Sequence, residues 1–313
     1  MSVAPVDAPP LISIVTPCLN RAQFIAEAVE SVLRQGDARI EHIVVDGGST
    51  DGTQDILRGY PHLRVISESD RGVYDALNKG IRLAQGEVIG HLNSDDLYED
   101  GVLSEVARRF AGDPALDALY GGASYFAVGA DGARRIVADY VTPSDIALSL
   151  SQVLLGIPII NARFFRRRVY GRVGLYDASY RLAADREFLL RVMAAELQAA
   201  HLAHRVYWYR QHPGSLTIRM GSPHLHTIFT EHLRLAESFL RRDGVSSEMR
   251  TACRSLHRRD ATEGVILSVR EGRLLKAVRY GCRGWRGDRA WPVALPALIL
   301  PRLAGWLFRR WYE

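Results

Sequence analysis

The sequence predicts an α/β protein: a mostly parallel sheet flanked by helices, followed by a helical, basic C-terminal extension. Three observations carry that prediction. In the first hundred residues, short apolar runs alternate with stretches of helical period, the pattern of βαβ units. Polar clusters fall where those runs end, at Thr16-Pro17 and at residues 46–51, 69–72 and 93–96. Toward the C-terminus the strand-like runs stop and the charge changes. Residues 241–313 hold 16 Lys/Arg against 7 Asp/Glu, a net +9 in a chain of +5, which leaves −4 on residues 1–240.

The elements follow in order. LISIVTP (11–17) reads as a buried strand. NRAQFIAEAVESVLRQG places Phe24, Ile25, Ala28, Val29, Val32 and Leu33 on one helical face, with Asn20 as N-cap and Gly36 as the stop. EHIVVD is a second strand, TQDILRGY a short helix and HLRVISES a third strand. GVYDALNKGIRLAQG is a helix with Tyr74, Leu77, Ile81 and Ala84 inward and Gly86 as its stop, and EVIGHLN is a fourth strand. LYGGASYFAVG and ARRIVADYVT alternate as an antiparallel pair turning at ADGA. A helix starts near Asp185, AHRVYWYRQHPGSLT runs from strand into loop, and three helical stretches follow His224.

An apolar share of 47% with 24% charged residues is that of a folded chain. Cys18, Cys253 and Cys282 are too scattered for a zinc site or a disulfide framework, and MSVAPVDAPP lacks the basic and apolar regions of a secretory leader. A cytoplasmic location is therefore expected. In parallel sheets, ligands collect beyond the carboxyl ends of the strands, and four polar clusters on one edge are more than helix capping requires. In HLNSDDLYEDG the bland reading makes Asp95 or Asp96 the cap of a helix starting near Leu97. The functional reading is a site for a hard divalent cation. VVDGGSTDGT is neither a dinucleotide fingerprint nor a P-loop, and the turn after the first strand, TPCLNRAQF, lacks the glycines that a Rossmann fold carries there.

Taken in order and at their spacing, SIVTPCLN, VVDGGSTDGT, DRGVYDALNKGI and HLNSDD resemble the family 2 glycosyltransferases of GT-A fold, over roughly residues 11–217. The resemblance implies an inverting, metal-dependent transfer of a sugar from a nucleotide-sugar donor, UDP being the commonest nucleotide, to an acceptor hydroxyl. It implies that Asp46 accepts from the base in a pocket shaped by Thr16 and Pro17, and that Arg71 reaches the base or a phosphate. The family's D-x-D reads Asn93-Ser94-Asp95 here, followed by Asp96. Asn93 would serve the ribose, and Asp95 would bind Mn²⁺ or Mg²⁺ with Asp96 as second candidate. Asp185 in LAADREFLLRV would be the general base, with Glu187 as fallback. His212 in YRQHPGSLT would close on the diphosphate or add a metal contact. Near Asn161, where relatives often carry a histidine, the pattern departs and leaves the acceptor contacts open.

The expected division is a catalytic domain over residues 1–217, with a donor half at about 11–100 and an acceptor half at about 101–217, and an extension over 218–313. Apolar residues 291–308 are broken by Pro292, Pro296, Pro301 and Arg302, too short for a span. Trp291, Trp306 and Trp311 beside Arg302, Arg309 and Arg310 suit an interfacial segment on anionic lipid. Packing on the body or a dimer partner is the plainer alternative, and no nucleic-acid motif accompanies the charge. The whole reads as a peripheral enzyme at the inner face of the cytoplasmic membrane. It would use a saccharide or lipid-linked acceptor in polysaccharide or glycolipid synthesis for the cell envelope. The rival reading is a non-catalytic nucleotide-sugar binder or membrane scaffold on the same fold.

Overall fold

The computed structural model describes residues 11–36, 39–215, 224–289 and 291–292. Its elements are β1 (Ile12–Cys18), α1 (Ile25–Leu33), β2 (Ile40–Asp46), α2 (Thr53–Arg58), β3 (Arg64–Ser67), α3 (Val73–Leu83), β4 (Val88–His91), β5 (Leu97–Tyr98), α4 (Val102–Gly112), β6 (Ala118–Val128) and β7 (Arg134–Tyr140). Then come α5 (Pro143–Ile146), α6 (Leu150–Leu155), β8 (Arg163–Arg166), α7 (Arg167–Val173), α8 (Ala184–Ala194), β9 (Ala199–Gln211), α9 (Leu225–Arg241), α10 (Ser247–Arg270) and α11 (Leu274–Gly287). Contacts divide the chain into residues 1–153 with 157–218, and residues 154–156 with 219–313.

The first unit is the predicted α/β body. One sheet runs β3-β2-β1-β4-β8-β6-β9-β5, with β7 paired to β6. Strands β3, β2, β1 and β4 are parallel, β8 is antiparallel to both its neighbours, and β6 returns to a parallel pairing with β9. Strand β1 is buried along its whole length, as a central parallel strand covered on both faces must be. At the edge, β3 leaves Val65 41% exposed. The register brings Cys18 beside Asp46 and Asp46 beside Ser67, so the predicted polar clusters share one sheet edge.

Two details of α1 differ from the periodicity. Its N-cap is Phe24 with no side-chain cap, and Leu33 is half exposed. The inner rim is taken by Gln35, whose amide donates to the Ser31 and Glu99 carbonyls at 2.7 and 2.9 Å and whose oxygen accepts from Leu103 N–H at 2.9 Å. A buried polar side chain with its hydrogen bonds satisfied can displace a leucine to the rim.

Helix α3 lies so close on β1 that a Cβ at Gly80 would meet Val15 Cγ1 at 2.3 Å. Gly80→Ala gains up to ~1 kcal/mol in helix propensity, but overpacking against a fully buried strand costs about 1–3 kcal/mol. Net destabilisation is expected as a lowered urea midpoint, and a midpoint at or above that of the parent would contradict this packing.

Two histidines are sealed beneath the sheet edge. His42 Nε2 meets Thr16 Oγ1 at 2.9 Å, and His91 stands 3.4 and 3.3 Å from the Tyr170 and Tyr176 hydroxyls. Desolvation lowers His42 to about 3 and His91 to about 4. The unfolded chain takes up these protons near the ordinary imidazole value while the fold refuses them, so stability falls as pH drops from about 6.5 toward 4. Each histidine contributes about 1.4 kcal/mol per pH unit in that window. His62 and His201, lowered by desolvation, act in the same direction, while half-exposed His204, raised against its own desolvation by the Arg205 carbonyl and Glu105, and Asp96, whose carboxyl burial pushes well up, oppose them. Carboxylates with depressed values act mainly below that window. The urea midpoint is therefore expected to fall between pH 7 and pH 5, and a flat profile would refute the burial of neutral imidazoles.

The second unit contains the three predicted helices. Ser246 caps α10 by accepting from Met249 N–H at 3.2 Å. Leu233 of α9, Ala261 of α10, Tyr280 of α11 and Trp291 form its core. Trp291 is only 6% exposed, and its indole N–H donates to Thr262 Oγ1 at 3.1 Å. The interfacial role expected of this tryptophan is thus corrected: its ring fills the space that Gly284 leaves open. The other residues of that expectation, among them Trp306, Trp311, Arg302, Arg309 and Arg310, lie outside the described residues.

Candidate active site

The loops after β1 and β2 are fastened to each other. Asn20, at a left-handed φ of 52°, donates its N–H to Ser49 Oγ at 2.7 Å and accepts from Thr50 N–H at 2.9 Å. It closes this loop pair instead of capping α1. Arg21 N–H donates to Thr53 Oγ1 at 2.8 Å, and Ala22 N–H to Asp51 Oδ2 at 3.0 Å. The Thr53 hydroxyl and the Ala22 amide hold the Asp51 carboxyl below its ordinary range.

Asp46 ends β2 fully buried, accepting from the Ser49 hydroxyl, from Ser67 Oγ at 2.7 Å and from Gln54 Nε2 at 2.9 Å. Thr16 and Pro17 are buried beside it in β1. Arg71, just ahead of α3, is 81% exposed and paired to Asp75 at 3.1 Å.

The turn after β4 answers the question its two carboxylates raise. No helix begins at Leu97. The chain enters β5, which pairs with β9, so neither aspartate is a helix cap there. Asp96, 3% exposed, accepts from Asn93 Nδ2 and Tyr207 Oη at 2.9 Å and from Arg210 N–H at 2.8 Å. Burial, and next the Asp95 charge, push its pKa well up against those three donors. Its oxygens serve the fold, so the second candidate ligand is replaced by a strut. Asn93 likewise spends its amide on Asp96, and its N–H donates to Tyr207 Oη at 3.0 Å.

Asp95 meets a different set. His212 Nε2 donates to Asp95 Oδ2 at 2.9 Å, and Arg21 Nε stands 3.6 Å from the same oxygen. These side chains are 16%, 13% and 27% exposed respectively, half-sealed at the strand ends. Arg210 Nε donates to the Asp95 carbonyl at 2.9 Å and its guanidinium pairs with Glu27 at 2.9 Å. The His212 ring packs 4.6 Å from that of Phe24.

Asp185 lies in the first turn of α8, whose N-cap is Ala183 without a side-chain cap, and its Oδ1 accepts from Arg186 N–H at 2.7 Å. Its charge reaches Tyr125, Tyr176 and Tyr209, whose hydroxyls are pushed up chiefly by burial, and Tyr125 and Tyr209 feel Asp96 as well. Tyr125 and Tyr209 stack at 4.8 Å, and Tyr209 packs 4.6 Å from Tyr207, whose hydroxyl donates to Asp96. Glu187 is committed elsewhere. It is 3% exposed and takes Arg191 Nε at 2.9 Å and Nη2 at 2.7 Å, while Arg191 also donates to the Leu175 carbonyl at 2.8 Å. That pair fixes α8 to the preceding turn. Asn161 is buried, with its amide donating to Tyr207 Oη at 3.2 Å.

Arg21, Arg210 and Tyr207 were not foreseen. Among the described residues no cluster of three or more His, Cys, Asp or Glu side chains is placed to hold a metal ion. The Asp95–His212 pair supplies two donors, which suits a hard cation that completes its shell with phosphate oxygens and water.

The family model described as Glycosyl transferase family 2 matches residues 13–174. A "PGL/p-HBAD biosynthesis glycosyltransferase" of Mycobacterium bovis is 35% identical over 196 residues, covering 59% of this chain and 70% of that protein. An uncharacterized glycosyltransferase of Mycobacterium tuberculosis is 33% identical over 190 residues, covering 58% and 68%. Among solved structures, S. aureus TarS in complex with UDP aligns at TM-score 0.59 and 18% identity over 79% of this chain and 71% of that one. The mannosyltransferase PcManGT of Pyrobaculum calidifontis, in complex with GDP-Man and Mn²⁺, aligns at TM-score 0.60 and 20% identity over 99% and 85%. At these identities the structural likeness establishes the GT-A-like fold alone.

Proposed function

The chain belongs to Glycosyl transferase family 2, and we propose that it moves a sugar from a nucleotide-sugar donor to an acceptor hydroxyl with inversion at the anomeric carbon. The observation that carries this reading is the convergence of Asp95, His212 and Arg21 on one point, Asp95 and His212 coming from 117 residues apart. A carboxylate, an imidazole and a guanidinium at the strand ends suit a diphosphate and its counter-ion.

In this reading residues 11–100 hold the donor and residues 101–217 the acceptor. Thr16, Pro17 and Asp46 form the floor of the base pocket, and Arg71, in the turn ahead of α3, reaches the base or a phosphate. Asn93 sits at the ribose side of the turn. Asp95 and His212 would hold a divalent cation, Mn²⁺ or Mg²⁺, with His212 giving up the Nε2 proton it now shares with Asp95, and the ion would supply positive charge opposite the diphosphate. Arg21 adds a fixed positive charge at the same place. Asp185 takes the proton of the acceptor hydroxyl. The acceptor oxygen then bonds to the anomeric carbon from the face opposite the nucleotide, and the anomeric C–O bond breaks with its electron pair leaving on the diphosphate. UDP is the nucleotide of this reading, as the commonest donor nucleotide of the family, and solved neighbours of the fold are complexes with UDP, UDP-GlcNAc or GDP-Man. A saccharide or lipid-linked acceptor in cell-envelope polysaccharide or glycolipid synthesis, met at the inner face of the cytoplasmic membrane, completes the reading.

The test is a thermal-shift panel of UDP, GDP, dTDP and CMP, each with Mn²⁺, with Mg²⁺ and with chelator. A ligand at 100 times its Kd stabilises by about 2.7 kcal/mol, an easily read shift. One nucleotide stabilising with metal supports the transferase reading. Silence from all four would overturn it in favour of a non-catalytic scaffold.

A further inference from the structure

Helix α11 carries two apolar faces, and among the described residues only one of them is buried. At about 100° per residue, Ala277, Tyr280 and Gly284 share the face that is buried. That packing is close: Cβ atoms at Gly264 of α10 and Gly284 of α11 would meet Tyr280 and Trp291 at 2.5 and 2.8 Å. The other face holds Leu274, Leu275, Val278, Cys282 and Trp285, within an arc of about 100°. Leu274 is 66% exposed, Leu275 82%, Val278 61% and Trp285 56%, and Cys282 is exposed with them. Apolar side chains of this size scattered singly on a surface need no explanation, whereas five on one helical stripe do.

The charge beside the stripe identifies its occupant. Leu274–Gly287 contains Lys276, Arg279, Arg283 and Arg286 and no acidic residue. Arg283 is taken by Glu237 at 2.8 Å. Arg279 and Arg286 are exposed and border the stripe along one side, with no acidic partner among the described residues. An apolar stripe with a tryptophan, edged by arginine, is the composition of a helix lying in the plane of a membrane interface, its apolar side chains among the acyl chains and its guanidiniums on anionic headgroups. The C-terminal residues beyond Trp291 are a poor cover for this face by charge. Residues 293–313 contain Arg302, Arg309 and Arg310 against Glu313 alone, a net +2, so they share its attraction to anionic lipid.

We propose that α11 is a membrane-docking helix whose Leu274–Leu275–Val278–Cys282–Trp285 stripe inserts into an anionic lipid surface. The membrane contact included in the functional reading thereby moves from Trp291, which is buried, to Trp285. Lipid docking is independent of sugar transfer, so it stands or falls apart from nucleotide binding.

Cys282 provides the probe, since Cys18 and Cys253 are buried. The full chain, labelled at Cys282 with a polarity-sensitive fluorophore, is mixed with phosphatidylglycerol-containing vesicles or with pure phosphatidylcholine vesicles. A severalfold rise in emission is expected with the anionic vesicles alone, weakening with salt. In unlabelled protein, the double substitution Leu275→Ser/Val278→Ser is expected to lower co-sedimentation with anionic vesicles at least tenfold. Because these positions are exposed, the thermal midpoint and the nucleotide response should be unchanged. An unchanged probe signal, or a double variant that sediments like the parent, would overturn the proposal. So would concentration-dependent dimerisation lost in the double variant without vesicle binding by the parent, which would identify a second copy as the occupant.

Discussion

Asp185→Asn is expected to slow sugar transfer by roughly 10²–10⁴-fold, the usual contribution of a positioned general base, while nucleotide affinity stays at the parental value. The substitution keeps shape and hydrogen-bonding reach but removes the basic oxygen. Asp185 is not the N-cap of α8, and the bond from Arg186 N–H to its Oδ1 can be accepted equally by an amide oxygen. Loss of a first-turn negative charge costs about 0.3–1 kcal/mol through the helix dipole, too little to unfold a helix anchored by buried Phe188, Leu189 and Leu190. Nucleoside diphosphate release in the presence of acceptor gives the rate, and thermal shift with nucleotide and metal gives the binding. A variant that retains transfer within about threefold of the parent would remove Asp185 from the chemistry. Glu187 would not inherit the role, because its carboxylate is held by Arg191.

The body of the fold was legible because its physics is local. Buried parallel strands are continuous apolar runs, the helices between them repeat every 3.6 residues, and β1, β2 and β4 with α1 and α3 follow from those periods. The second half was only partly legible. That β6–β7 forms a hairpin follows from its turn, but the placement of β8 between β4 and β6 depends on side chains far apart in sequence. Caps and rims were misread where a polar contact from another segment decided the outcome. Asn20 is drawn to the β2 loop by Ser49 and Thr50, and Gln35 displaces Leu33. Trp291 looked interfacial because proline and arginine follow it, yet the gap left by Gly284 receives its ring. At the site, motif order identified Asp95 and His212 separately, while their 2.9 Å contact required the fold.

That contact sets the second large effect. Asp95→Asn is expected to abolish the metal-dependent part of nucleotide stabilisation while leaving the nucleotide-alone response nearly intact. A hard cation that meets the protein through one carboxylate and one imidazole loses its only anionic protein ligand when Asp95 becomes an amide. His212→Ala should weaken the same component less, because the carboxylate remains. The two substitutions should then be non-additive, since they remove parts of one site. The neighbouring pair gives the contrast. Asp96 accepts from Tyr207, Arg210 and Asn93 inside the protein, so Asp96→Asn should lower the thermal midpoint with or without ligand instead of uncoupling metal from nucleotide. An amide there can accept from only some of the three donors, and a buried donor left unmatched costs about 1–3 kcal/mol, a loss partly offset because burial and Asp95 already disfavour the charge that is removed. Thermal shifts of the three single variants and the Asp95/His212 double, each with UDP in Mn²⁺ and in chelator, separate these behaviours. If Asp95→Asn kept a parental Mn²⁺-dependent shift while Asp96→Asn lost it, the ligand assignment would be reversed, and the buried carboxylate would have to turn outward on binding.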